Sequence, residues 1–428
     1  MAIITNAPRG TQDVLPAASY KWQHIERVLS QTAALYGYRE IRIPTFEHTE
    51  LFNRSVGDTT DVVQKEMYTF NDKGNRSITL RPEGTSGVVR ASLQNSLLAL
   101  PLPLKAFYIL SCFRYEKPQA GRLREFHQFG CECFGSPLPQ NDVELIAMLA
   151  QMFDTLGLSD ISLRINSIGC KSCRADYHKA LTDYFTARID DLCPTCRERL
   201  ATNPMRILDC KSPECQAIAA DAPKIIDFLC GECQTHFDGV KKGLDTLGIP
   251  FEIDPFIVRG LDYYTRTVFE FVTGSIGAQS TVCGGGRYDG LVEELGGAPT
   301  PALGFGMGLE RLLLLMEAQN VPFGEAAPLA VYIAPMGDNA SAKAAVFASA
   351  LRKKGVRTET DLMGRSMKAQ FKYADKLGAQ YVLTIGDNEL DEGKARLKRM
   401  ADGEQIDVAL DDRLADTIAK IVTGGDNQ

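Results

Sequence analysis

Glycine occupies every second position of Gly304-Phe305-Gly306-Met307-Gly308, and a helical run carrying Arg311 follows at once. Side chains alternate between the two faces of a strand, so this spacing strips one face bare. A sheet containing such a strand offers a flat floor where a nucleotide base can lie against backbone. Arg311 adds a cation for stacking or for phosphate contact. A dinucleotide-binding fingerprint would need a βαβ unit and a downstream acid, and neither is found, so hydride-transfer chemistry is set aside.

Two further segments carry the same kind of chemistry. Arg259-Gly-Leu-Asp-Tyr-Tyr-Thr-Arg266 and Cys283-Gly-Gly-Gly-Arg-Tyr-Asp-Gly290 bring arginine, tyrosines and close-approach glycines into one region of the chain. Aromatic walls, a fixed cation and backbone without side chains suit a small, flat, charged ligand. Leu80-Arg-Pro-Glu-Gly-Thr-Ser-Gly87 ends a strand and opens a helix, which puts Glu83 and Thr85 where polar sites commonly form. Glu83 reads equally well as a helix-start charge. In the stretch 113–133, Phe126, Gln128, Gly130 and Glu132 share one strand face, and a buried Gln and Glu need partners, from the protein or from a ligand.

The 428 residues suffice for two to four domains. A formal charge of −7 argues against indiscriminate coating of nucleic acid, although a local basic patch could still serve. No apolar run reaches the ~18 residues of a membrane helix. The N-terminus lacks a basic start and an apolar signal core, so a cytoplasmic protein with no membrane partner is expected.

Periodicity predicts helices over 17–36, 84–98, 141–156 and 308–318. Strands are expected over 38–44, 65–70, 77–81, 251–258, 267–273 and 279–283. Pro322 to Pro328 reads as a linker, after which strands and helices alternate as in a separate small α/β domain. The stretch 352–376 holds eight basic residues (Arg352, Lys353, Lys354, Arg357, Arg365, Lys368, Lys372 and Lys376) against three acids. It is a solvated face or a phosphate-binding one.

Eight of the twelve cysteines lie between Gly169 and Cys233, where the texture changes to short helical pieces that suggest an insertion. Cys170-x-x-Cys173 and Cys193-x-x-Cys196 are spaced like zinc-knuckle pairs, and Cys210, Cys215, Cys230 and Cys233 follow. Structural zinc and reduced, partly buried thiols both fit the spacing. Cys112, Cys131, Cys133 and Cys283 fall on strands and read as core thiols.

Taken together, the motifs resemble those of the class II aminoacyl-tRNA synthetases, with Pro44, Arg114 and Arg311 in the three class motifs. Arg259 to Tyr264 and Gly284 to Asp289 are similar to the two signatures specific to the histidyl enzymes of bacterial type. Arg9-Gly-Thr-Gln-Asp13 matches them as well, and the resemblance spans essentially the whole chain. It implies an α+β fold: an antiparallel-sheet catalytic domain over 1–325 with a Cys-rich, mainly helical insertion at about 169–245, then an α/β anticodon-binding domain over 328–428. It also implies the activation of L-histidine by ATP with Mg²⁺, transfer to tRNA(His), and a homodimer. By the same resemblance, Arg259 and Arg114 are catalytic on either side of the α-phosphate. Glu83 and Thr85 would hold the amino group with Gln128 near the substrate, Glu132 and Tyr264 would read the ring nitrogens, and Tyr263 and Tyr288 would wall the pocket. Arg114, Glu116 and Arg311 would hold ATP, and Gln119, Arg122 and Arg124 would touch the tRNA acceptor end. The rival is the non-catalytic regulatory paralogue that partners ATP phosphoribosyltransferase, which lacks the C-terminal domain and degrades the histidine-specific motifs.

Overall fold

A computed structural model describes residues 5–57, 60, 62–210, 212–257, 261–276, 281–324 and 328–424. The chain divides into two compact units, Met1–Phe323 and Gly324–Gln428. Among the described residues, no helix is long and apolar enough to cross a membrane.

Strands of the first unit, in chain order, are β1 (Arg39–Glu40), β2 (Phe46–His48), β3 (Thr69–Asn71), β4 (Ser77–Leu80), β5 (Leu104–Phe113), β6 (Glu125–Phe134), β7 (Ser162–Ser167), β8 (Glu252–Ile253), β9 (Thr265–Val272), β10 (Thr281–Arg287) and β11 (Ala302–Gly308). Eight of them form one sheet in the order β1-β5-β6-β11-β10-β9-β7-β8, and β2-β4-β3 form a small antiparallel sheet. The central ladders β5-β6-β11-β10-β9-β7 are antiparallel, and only the outer pairs β1-β5 and β7-β8 run parallel.

One sheet face is sealed by helices. Phe107, Phe129, Cys131, Cys133, Phe269 and Phe305 pack there against the helices Pro16–Leu35, Pro139–Thr155, Gly231–Thr246 and Leu309–Ala318. The opposite face carries Tyr108, Tyr263, Tyr264 and Tyr288 beside the helix Thr85–Gln94. The two-residue period thus separates a core face from a polar one.

Several predicted strands shorten. The strand expected over 38–44 is reduced to β1, a sheet edge that stops ahead of Pro44. The strand over 251–258 is reduced to β8, because Pro255 brings no N–H to a ladder. The segment 65–70 gives up its first part to a turn of π-helix at Val62–Glu66. Conversely, β10 runs through Gly284, Gly285 and Gly286, where the absence of side chains leaves no pattern to read. Gly285 is obligatory there, since an added Cβ would approach Phe305 Cβ to 2.6 Å and Phe269 Cζ to 2.7 Å.

The second unit has strands β12 (Val331–Met336), β13 (Thr358–Thr360), β14 (Tyr381–Gly386), β15 (Lys394–Arg399) and β16 (Gln405–Ala409), in the order β13-β12-β14-β15-β16. The first three are parallel, with helices Asp338–Lys353 and Met367–Lys376 as crossovers, and β15-β16 close as an antiparallel hairpin. Lys368, Lys372 and Lys376 are exposed at four-residue spacing on one helix face. Other members of the basic stretch are already engaged: Lys354 pairs with Asp416 at 2.6 Å and Arg365 with Asp361 at 2.6 Å.

Within the first unit, Arg287 at the end of β10 is wholly buried against the wholly buried Asp142. Its Nε and Nη2 donate to Asp142 Oδ2 at 2.9 and 2.7 Å, Nη1 donates to the Ser136 carbonyl at 3.0 Å, and Nη2 donates as well to the Leu138 carbonyl at 2.9 Å. His236 Nε2, on the last helix of the insertion, lies 3.4 Å from Asp142 Oδ1. Removing one partner of a buried pair strands the other charge, at a cost of about 3–5 kcal/mol. Asp142→Ala is therefore expected to lower the unfolding free energy by about that much in urea titrations, and a loss below ~1 kcal/mol would show that the pair is not structural.

Candidate active site

On the polar face of the sheet, a cavity of about 230 Å³ opens over β6, β11 and β10. Its floor is backbone, with Gly284 from β10 and Gly306 and Gly308 from β11. Gly304 has a different task. It pairs with Glu132 in the β6-β11 register, and a Cβ there would collide with the Glu132 carboxylate. Gly306 likewise makes room for the Gln128 amide. The alternating glycines therefore serve twice, as floor and as clearance for two polar side chains of the neighbouring strand.

One end of the cavity is lined by Glu83, Thr85, Gln128, Tyr263 and Tyr264. Glu83 caps the helix Thr85–Gln94: its carboxylate accepts the N–H groups of Thr85 at 2.7 Å and Ser86 at 2.9 Å, and the Ser86 hydroxyl. Glu83 thus serves as a helix-start charge and at the same time lines the cavity. Gln128 Oε1 accepts from the Gly84 N–H at 3.2 Å, which fixes its amide across the floor. The Tyr263 ring tilts against Tyr264 at 4.7 Å and meets Tyr288 edge-on at 5.5 Å.

Glu132 and Tyr288 lie one layer behind the cavity surface rather than on it. Glu132 is wholly buried and accepts the hydroxyls of Thr85 at 2.7 Å, Tyr108 at 3.1 Å and Tyr288. Burial pushes its carboxyl up to about 8, against the downward pull of the Tyr288 and Thr85 hydroxyls. Burial likewise raises Tyr263 and Tyr288 well above the usual phenol range.

The other end is cationic. Arg114, just beyond β5, donates through Nε to the Pro82 carbonyl at 2.8 Å and lies 5.4 Å from the Phe126 ring centroid. Arg311, in the first turn of the helix Leu309–Ala318, is anchored to the Gly121 and Thr281 carbonyls at 3.1 and 2.9 Å. Arg122 reaches the same end and pairs with Glu116 at 2.8 Å. Burial, then the nearby Arg122, pull the Arg311 guanidinium below its ordinary value. Three arginines so close call for an anion.

Not every expected residue converges. Gln119 forms a tight bridge with Arg122 and lines a neighbouring cavity of about 540 Å³ together with Gln12 and Asp13. Arg124 stacks 3.8 Å from the Tyr115 ring centroid and donates to the Glu116 carbonyl at 3.2 Å. Arg259 lies outside the described residues, while Leu261 close by lines the cavity. Cys170 and Cys173 do not join Cys193 and Cys196. Each pair finds another partner pair, Cys230 with Cys233 and Cys210 with Cys215.

Sequence reasoning missed Glu310, which lines both cavities and holds His127 through its backbone N–H at 2.9 Å and its ring Nδ1 at 2.9 Å. That hydrogen bond raises the His127 imidazole above its ordinary value. An acid immediately before a site arginine in a helix's first turn was the available signal.

Comparison with known proteins decides the family. The family model described as Histidyl-tRNA synthetase matches residues 10–172 and 219–312. The chain belongs to the histidyl-tRNA synthetase family. A second family model, Anticodon binding domain, matches residues 330–420. The chain is 57% identical over 409 residues to the histidine–tRNA ligase of Acetivibrio thermocellus, covering 96% of this chain and 98% of that one. Among solved structures, apo S. aureus histidyl-tRNA synthetase aligns with a TM-score of 0.83 at 40% identity, over 97% of this chain and 100% of that one. A Bacillus halodurans protein titled ATP phosphoribosyltransferase regulatory subunit/histidyl-tRNA synthetase aligns at TM-score 0.66 and 22% identity, over 90% and 99%, a likeness of fold alone.

The raised carboxyl of Glu132 gives this histidyl-tRNA synthetase fold a pH signature. The folded state holds that proton more tightly than the unfolded chain does, so its contribution is full below the ordinary carboxyl value and is lost as pH rises toward about 8. Glu132→Gln should flatten this dependence. In parallel denaturant titrations at acid and mildly alkaline pH, the wild-type loss of stability should exceed that of the variant by on the order of a few kcal/mol. Equal pH slopes in the two proteins would refute the burial argument.

Proposed function

We propose that the protein activates L-histidine with ATP to histidyl-adenylate and then transfers the histidyl group to the 3′ end of tRNA(His). The observation that carries the reading is one continuous cavity with an acid–tyrosine end, a triple-arginine end and a glycine floor between them. Histidine–tRNA ligases that match nearly the whole chain support the same conclusion.

The amino acid enters with its ammonium toward Glu83, Thr85 and Gln128. Its imidazole points to Tyr264 and the Glu132 layer, walled by Tyr263 and Tyr288. Its carboxylate then faces the cationic end. A carboxylate oxygen attacks the α-phosphorus of ATP, the bond to the β-phosphate oxygen breaks, and pyrophosphate leaves. Arg114 on one side and Arg259 on the other neutralise the α-phosphate as its charge redistributes. Arg311 lies against the adenine and γ-phosphate, and Glu116 shares the nucleotide end. In the second step a terminal ribose hydroxyl of the tRNA attacks the histidyl carbonyl and AMP departs. Chemistry of this kind needs positioning and charge stabilisation more than acid–base machinery.

Magnesium accompanies ATP in class II synthetases generally, and it supplies charge neutralisation on the phosphates. Glu116 and Glu310, hard oxygen donors at the cationic end, suit it. Gln119, Arg122 and Arg124 form the hairpin beside the cavity that meets the acceptor end. The second unit, with its lysine face, meets the anticodon arm. The working form is a cytoplasmic homodimer. Buried partners for both ring nitrogens allow rejection of isosteres that lack them by about 10⁴–10⁵, so no editing step is required.

Amino-acid-dependent ATP–pyrophosphate exchange, run with each of the twenty amino acids, should respond to histidine alone. Exchange with none, from folded protein that still binds histidine, would transfer the chain to the regulatory paralogues. Arg114→Ala and Arg259→Ala should each lower exchange by about 10²–10³ while ATP binding persists in part. Near-normal exchange in either variant would remove that arginine from the mechanism.

A further inference from the structure

The insertion gathers its eight cysteines into two groups: Cys170, Cys173, Cys230 and Cys233 at its root, and Cys193, Cys196, Cys210 and Cys215 in its body. Within each group all four sulfurs lie within 4.8 Å of one another. None of the twelve cysteines forms a disulfide. Representative Sγ–Sγ separations are 3.6 Å for Cys170–Cys173, 3.9 Å for Cys170–Cys230 and 3.8 Å for Cys193–Cys210. A disulfide would require about 2.05 Å. Four thiolates set tetrahedrally at the ~2.3 Å zinc–sulfur bond length have edges of about 3.8 Å, the spacing observed.

The surroundings are those of thiolates. Cys170, Cys193 and Cys230 are the N-cap residues of the helices Lys171–Thr186, Pro194–Thr202 and Gly231–Thr246. Their partners Cys173, Cys196 and Cys233 sit in the first turns, so three positive helix ends face the sulfurs. Backbone N–H groups donate to sulfur as well: Cys230 to Cys173 at 3.1 Å, Cys193 to Cys215 at 3.3 Å, and Ser212 to Cys210 at 3.5 Å. Such outer hydrogen bonds orient metal-bound thiolates.

We propose that the insertion carries two structural zinc ions, one in each Cys₄ group. All-sulfur tetrahedral sites select zinc or iron–sulfur chemistry, and sulfurs this close enclose a single ion and leave no room for a cluster. The ions supply what the segment's small core cannot. A short stretch packing Tyr177, Leu181, Phe185, Leu200 and Ile207 has little apolar surface to set against its ordering entropy. The root ion ties the first helix of the insertion to the last, the helix that carries His236 to Asp142. The body ion holds the arm that brings Asn203, Met205 and Arg206 beside Leu261, Asp262 and Tyr264. Asn203 Nδ2 there donates to Asp262 Oδ1 at 3.4 Å. The zinc sites thus brace the histidine-specific segment from outside the cavity.

The test is elemental analysis of the full chain after dialysis against metal-free, non-chelating buffer, with about two zinc equivalents expected. Cys233→Ser should drop the content to about one by emptying the root site, and Cys210→Ser should do the same at the body site. Denaturation with a chelator should release the metal and expose all twelve thiols to titration. Cobalt(II) exchanged into the unmodified protein should give the visible absorption of tetrahedral thiolate coordination, saturating at the same ratio. If the serine variants fail to fold, the metal content and cobalt titration of the unmodified chain decide the matter alone. A metal-free chain, iron in place of zinc, or fewer than twelve titratable thiols would overturn the proposal. A content of one would overturn the two-site assignment.

Discussion

The buried ion pair of Arg287 with Asp142 is the constraint on which the first unit depends. It fastens the end of β10 to the start of the helix Pro139–Thr155, and through His236 it adds the last helix of the insertion. Tyr288 follows Arg287 directly, so the pair also sets where that ring meets Glu132 and Tyr263. Two charges this deep persist only when they satisfy each other, and here carbonyls of the loop before the helix take up the remaining guanidinium hydrogens. Geometry at the polar end of the cavity is thereby inherited from a core contact on the far side of the strand.

The cavity itself works by complementary subtraction and addition. Gly304 and Gly306 give up side chains where Glu132 and Gln128 lie across the sheet, and Gly130 does the same beneath Tyr108. Polar groups thus occupy a sheet interior without splitting the ladder, and each has a protein partner. At the other end the economy is reversed. Arg114 and Arg311 spend only part of their donors on backbone carbonyls, and repulsion among three guanidinium groups favours an arriving anion.

Most of this was legible in the residues, and what was not has physical reasons. The strand face of Gln128 and Glu132 followed from the period of two, and the helix start at Thr85 from the strand-to-helix change. The glycine run of β10 hid its own length, since a strand without side chains has no alternation. The hairpin β15-β16 is rich in charge on its exposed face and escaped notice. Arg287 looked like one more cation of a ligand signature, because no local pattern reveals that its partner lies 145 positions earlier. The cysteine spacing fitted zinc ligands and reduced thiols alike, and could not show that each pair is completed from a different part of the insertion.

The root cluster has a consequence for how such a chain can change over time. The Sγ atoms of Cys170 and Cys230 lie 3.9 Å apart, so the residues between them depart from and return to one spot. Apart from the arm that sets Asn203, Met205 and Arg206 beside Tyr264, a segment whose ends meet at one point can be lengthened or shortened without disturbing the strands on either side. The family model breaks off at residue 172 and resumes at 219, within that same span. Length can thus vary within the insertion while the sheet beneath it keeps its register, provided the arm beside Tyr264 is retained.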